Sequence, residues 1–115
     1  MLTERKITII RSPGTWVVRA GGAVIAETRE ALQLIEGDYP PVIYFPREDA
    51  GMAFLEKSDR VTTCPWKGEA THYDLVGSNG VIRNAAWSYE APLPAAERVT
   101  GYIAFYPESA TVEQV

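Results

Sequence analysis

The chain predicts a mainly β domain of compact antiparallel sheets with one short helix, and three observations carry that prediction. Short runs rich in Val, Ile, Thr, Trp and Tyr recur along it, the composition of half-buried strands. Gly, Pro and Asn interrupt those runs at intervals that suit tight turns. Helical periodicity is scarce. At 115 residues, 46% of them apolar, the chain suffices for one domain that buries about two thirds of its unfolded surface. Only the last few residues are expected outside the fold.

Thr15–Ala20 and Ala23–Glu27 flank Gly21-Gly22, a link able to take the positive φ angles of a tight hairpin, so these runs should pair antiparallel. Ala31–Glu36 has helix-forming residues, yet Leu32 and Leu34 alternate with Gln33, which favours a strand. Pro40-Pro41 leads into Val42–Phe45, apolar on both faces and thus a central strand, which Pro46 ends by removing a ladder donor. Met52 and Leu55, with Glu48 and Asp49 ahead and Lys57 behind, suit the single helix over Arg47–Lys57. Arg60–Cys64, Thr71–Val76, Val81–Tyr89 and Tyr102–Tyr106 read as four further strands. Gly77-Ser78-Asn79-Gly80 joins the middle pair, and Pro92, Pro94 and Gly101 mark a loop before the last.

The net charge of −4 and basic residues that never form a stripe exclude the electrostatic footprint of a nucleic acid polymer. Met1–Ile10 carries Glu4, Arg5 and Lys6 with no apolar signal core behind them, and no apolar run approaches the roughly 18 residues of a membrane span. No membrane partner is expected, and the cytoplasm is the expected compartment. One cysteine, Cys64, forms no internal disulfide, which fits reducing conditions. Structural zinc wants four Cys or His ligands and the chain has one of each, so neither metal nor cofactor is expected.

Cys64-Pro65-Trp66-Lys67-Gly68 sets a thiol and an ammonium three residues apart around a turn shaped by proline and glycine. A nearby cation favours thiolate over thiol, which makes Cys64 and Lys67 the candidate catalytic pair. Most free cysteines are instead small buried hydrophobes, and that reading stands beside the first. Lys67 alone would also suit an anion, as a point charge beside the N–H groups of a turn. The GxxxxGK[ST] spacing is absent, and neither Gly21-Gly22 nor Gly77–Gly80 matches a dinucleotide fingerprint, which excludes the common nucleotide sites.

Arg47, Glu48 and Asp49 open the expected helix, where an acid caps free N–H groups and an arginine grips a carboxylate or phosphate in two places. Glu36 and Glu90, each beside an aromatic strand, serve either proton transfer or a surface salt bridge. His72 and Tyr73 alternate on one strand, so only one of them faces a given pocket. Trp66, Tyr73, Trp87 and Tyr89 offer flat faces for a core or for a bound ring, and Trp87 and Tyr89 share a strand face.

Five blocks resemble a known bacterial family, the domain-of-unknown-function family four-two-seven. They are Ala26–Thr28, Tyr44–Asp49, Cys64–Ala70, Ala86–Pro92 and Ile103–Tyr106, in order over nearly the whole chain. The resemblance implies a compact β fold similar to the Mss4-like or tent-shaped β proteins, some of which hold zinc between paired cysteines. Those cysteines are missing here, so the zinc role does not carry over. The family's nucleotidyltransferase-type label finds no phosphate loop and no paired metal carboxylates to match. The resemblance groups Tyr44, Arg47, Asp49, Trp87, Tyr89 and Glu90 as ligand-binding candidates around Cys64 and Lys67.

Two functions remain open. One is a pocket on the Cys64–Gly68 turn that binds a small anionic or ring-bearing ligand, with group transfer through Cys64 as its catalytic form. The other is a non-enzymatic module whose strand edges and aromatic surface bind a protein partner or a second copy of the chain. The first requires Lys67, Arg47 and Cys64 to meet at one cavity.

Overall fold

The computed structural model describes residues 6–78 and 80–115. Among them the strands are β1 (Ile7–Arg11), β2 (Trp16–Ala20), β3 (Ala23–Thr28), β4 (Leu32–Glu36) and β5 (Val42–Tyr44), then β6 (Leu55–Cys64), β7 (Gly68–Gly77), β8 (Gly80–Ser88), β9 (Ala104–Phe105) and β10 (Thr111–Gln114). Gly21 and Gly22, at φ of +56° and +80°, close β2 onto β3 as the expected hairpin. The loop reading at Gly77–Gly80 includes Asn79, and the leader reading over Met1–Ile10 includes residues 1–5; Asn79 and residues 1–5 lie outside the described residues.

Every pairing is antiparallel. The strands form three sheets ordered β1-β4-β5, β10-β2-β3 and β6-β7-β8-β9, an all-β fold without a closed barrel. Phe45, just past β5, stitches the first sheet to the third. Its N–H donates to the Ile103 carbonyl, and the Ile103 N–H returns a bond to the Phe45 carbonyl, both at 2.8 Å. That second neighbour explains why Val42–Phe45 is apolar on both faces. Adjacent residues point to opposite sides of an extended chain, so Tyr44 and Phe45 enter different cores. Phe45 joins Val18, Ile25, Leu75 and Ile103, whereas Tyr44 joins Leu34, Tyr89 and Val99.

The structure corrects the reading of Arg47–Lys57. In place of one helix there are two three-residue 3-10 turns, Arg47–Asp49 and Met52–Phe54, and β6 begins at Leu55. An isolated helix of about eleven residues is marginal in water, and two long-range contacts outcompete it. The Gly51 N–H donates to the Ile25 carbonyl at 2.7 Å, so closely that a Cβ at Gly51 would lie 2.5 Å from that oxygen. Leu55, Glu56 and Lys57 then pair with Leu75, Asp74 and Tyr73 in the sheet. The expected acidic cap is also absent from the first turn. Asp49 instead accepts a hydrogen bond from the Thr28 hydroxyl at 2.8 Å.

The C-terminal residues are more ordered than expected. Ile7–Arg11 pairs with β4, and Thr111–Gln114, assigned outside the fold by the sequence, pairs with β2. The strand expected over Tyr102–Tyr106 contracts to Ala104–Phe105, and the loop before it contains a 3-10 turn, Pro94–Val99, with Ala96 and Val99 buried. Among the described residues no helix is long and apolar enough to cross a membrane.

Candidate functional site

The alternation of β7 and β8 divides the candidate residues between two faces of one sheet. Trp87 and Tyr89 point to one side, where Tyr44 and Tyr106 complete the aromatic walls of a cavity of about 170 Å³. Leu34 and Ala70 lie beneath it, and Lys67 and Glu36 supply its charged groups. Ser88 and Glu90 point to the other side, where both accept hydrogen bonds from Arg47.

Lys67 reaches the cavity because the turn after β6 is held down from outside. Its carbonyl accepts the Leu93 N–H at 2.9 Å. Gly68, at φ +106°, lets that loop approach so closely that a Cβ would meet the Leu93 nitrogen at 3.2 Å. The ammonium donates a hydrogen bond to Glu36 Oε1 across from β4, with the lysine side chain 12% exposed and the glutamate 10%. Glu36 arrives there by strand alternation, since Leu32, Leu34 and Glu36 are the buried positions of β4.

The aromatic walls are mutually braced. The Trp87 indole N–H donates to the Tyr44 hydroxyl at 3.2 Å, and the two rings meet edge to face with centroids 6.2 Å apart. Tyr106 lies 4.4 Å from Trp87, centroid to centroid, and its hydroxyl is 2.9 Å from His72 Nε2. His72 is wholly buried behind it, and Nδ1 finds no hydrogen-bond partner. Burial first, then the charge of Arg60, holds the imidazole pKa below its ordinary value, so the ring is neutral at pH 7. Burial likewise pushes the Tyr44, Tyr89 and Tyr106 hydroxyls upward, with Tyr89 adding to the shift at Tyr44 and Cys64 to that at Tyr89. All three therefore stay protonated and able to donate.

Cys64 is a free, half-buried thiol at the end of β6, opposite Gly68. It stands close enough to Tyr89 to influence that hydroxyl, while the Lys67 ammonium is directed at Glu36.

Arg47 does not join this cavity. Its Nε donates to the Gly101 carbonyl at 3.0 Å, and Nη2 donates to Glu90 Oε2 at 2.8 Å and to the Ser88 hydroxyl at 3.3 Å. Tyr73 adds a hydrogen bond to Glu90 at 2.8 Å beneath the guanidinium. Arg47 and Glu90 thus tie loops to the back of the sheet, Asp49 is held by Thr28 of β3 in another sheet, and the common cavity expected for lysine, arginine and thiol does not form around all three. His72 and Tyr73 divide in the same way, as their alternation requires.

Burial raises the Glu90 pKa, but the Tyr73 hydrogen bond and the Arg47 charge outweigh it and leave it lowered. A carboxylate with a lowered folded pKa adds stability that is complete above its unfolded pKa and disappears as pH falls through the folded one. Glu90→Gln is therefore expected to flatten the loss of stability below about pH 4.5, measured by urea unfolding at stepped pH. The side chains are 36% and 41% exposed, so the effect stays below about 1 kcal/mol.

Tyr106 and the Lys67–Glu36 pairing are the parts of the cavity that sequence reasoning did not assemble. For Glu36 the signal was available, as its parity with Leu32 and Leu34 puts it on the buried face. Tyr106 follows a two-residue strand and gave no comparable signal. Among the described residues, no group of three or more His, Cys, Asp or Glu side chains gathers to hold a metal ion. No curated protein matches the chain. Residues 8–115 match the family described as Domain of unknown function (DUF427), whose label is NTP_transf_9, and on a match spanning nearly its whole length the chain belongs to that family.

Proposed function

We propose that this domain binds a small, neutral molecule bearing a planar ring. The ring lies against Tyr44, Trp87, Tyr89 and Tyr106, and its polar edge meets the Lys67–Glu36 pair. The observation that carries this reading is the nearly buried ion pair at an aromatic-walled cavity. Two desolvated charges are a poor way to fill a core, since apolar residues of similar volume do as well or better, so their retention suits recognition. The cavity's volume of about 170 Å³ compares with the roughly 150 Å³ that accepts benzene in an apolar protein interior. The pair is neutral overall and presents both a donor and an acceptor. An incoming anion would have to compete with Glu36 for the lysine, whereas an amide edge complements both partners.

The same hydrogen bond argues for binding over group transfer, because a lysine directed at Glu36 is not available to activate Cys64. A net charge of −4 supports a small-molecule ligand over a nucleic acid, and the free thiol suits a reducing compartment such as the cytoplasm.

Titration with benzamide, followed by heteronuclear NMR, tests the reading, with benzoate and benzylamine as charged counterparts. Benzamide is expected to move the Trp87 indole signal while leaving Trp66 unchanged, and to bind more tightly than either charged analogue. A Trp87 signal that ignores benzamide up to its solubility limit, or tighter binding of benzoate, overturns it.

A further inference from the structure

We infer that the apolar cleft next to the cavity receives an apolar arm of the same ligand, so that the ligand class is amphipathic: a planar polar head with an alkyl or aryl substituent. This inference rests on the binding reading above. The cleft has a volume of about 470 Å³, and its walls come from all three sheets. Trp16 of β2 and Val112 of β10 face Ile43 of β5 and Phe105 of β9, with Pro41 and Pro107 at the exposed rim.

Two features point to a ligand arm. Val42 and Trp87 line both the cavity and the cleft, so the two spaces adjoin at these side chains. Their chemistry also differs sharply. The cavity holds a lysine, a glutamate and tyrosine hydroxyls, whereas among the described residues no charged side chain lines the cleft and Gln33 is its one polar side chain apart from the indoles. The Trp16 indole N–H is already bonded to the Ser12 hydroxyl at 3.0 Å, so what Trp16 offers the cleft is carbon surface. Proline at the rim restricts the backbone and reduces the ordering that binding requires.

Isothermal titration of benzamide against 3- and 4-alkylbenzamides, with ethyl, butyl and hexyl chains, tests the inference. In one of the two series affinity is expected to rise about two- to fourfold per methylene until the cleft is spanned, the upper value being that of full burial. Val112→Gln and Pro107→Glu should abolish the chain-length gain while leaving benzamide itself unaffected. Pro107 is exposed, so that variant keeps the test available if Val112→Gln folds poorly. Benzamide binding with no gain in either series overturns the inference alone. A gain that survives both variants, or a chain-length effect accompanied by dimerisation in light scattering, also overturns it, the latter assigning the cleft to a second copy. Failure of benzamide to bind removes the functional reading and this inference with it.

Discussion

Lys67→Met is expected to lower stability by up to about 3–5 kcal/mol, the loss when one partner of a buried ion pair is removed and the other charge is left uncompensated. Methionine keeps most of the side-chain volume, so little of that loss comes from packing. It comes from Glu36, whose side chain is 10% exposed and would lose the lysine that balances its charge beside the aromatic cavity. The double variant Glu36→Gln, Lys67→Met should recover most of the loss, because both charges are then gone and the remaining groups are neutral. Urea denaturation of the two single variants and the double variant gives the coupling directly. A loss in the double variant equal to the sum of the two single losses would mean that the pair carries little coupling. Benzamide binding should disappear in both, since both remove the donor–acceptor edge. The variants thus separate what the pair does for folding from what it does for recognition.

The parts of this fold legible in the sequence are those fixed locally. Gly21-Gly22 determines its hairpin because almost any other residue would be strained there, and the alternation of Leu32 and Leu34 outweighs the helix propensity of their neighbours. Arg47–Lys57 misleads because its charge pattern is local whereas the contacts that shape it, Gly51 with Ile25 and Leu55 with Leu75, lie far away in sequence. β10 was invisible for a related reason. Its four residues are polar or half-buried, and its only reason to extend is β2, more than ninety residues earlier.

The same distinction explains the site. The sequence places Trp87 and Tyr89 on one face, where both line the cavity, but the family blocks group Glu90 with them although strand parity puts it with Ser88 on the reverse. Parity could also have set Tyr44 apart from Phe45. No local rule brings Lys67 to Glu36, because that meeting requires the first and third sheets to be joined first.

Phe45→Ala should therefore rank with Lys67→Met in effect, for a different physical reason. Phe45 is wholly buried, lies edge to face with Phe105 at 5.9 Å, and its backbone makes the two bonds to Ile103 that join the sheets. Truncation leaves a cavity where those sheets meet, and buried Phe→Ala changes lose about 3–5 kcal/mol. In a domain of this size about 1 kcal/mol moves Tm by roughly 4 °C, so a fall of about 12–20 °C is expected in calorimetry. Phe54→Ala removes the same atoms from a side chain that is 36% exposed and should lose much less. Because Tyr44 precedes Phe45 and faces the other core, Phe45→Ala should also weaken benzamide binding at temperatures where the variant is still folded. Losses of equal size at Phe45 and Phe54 would instead show that the junction relaxes around the missing ring, and that β5 holds Tyr44 in place without it.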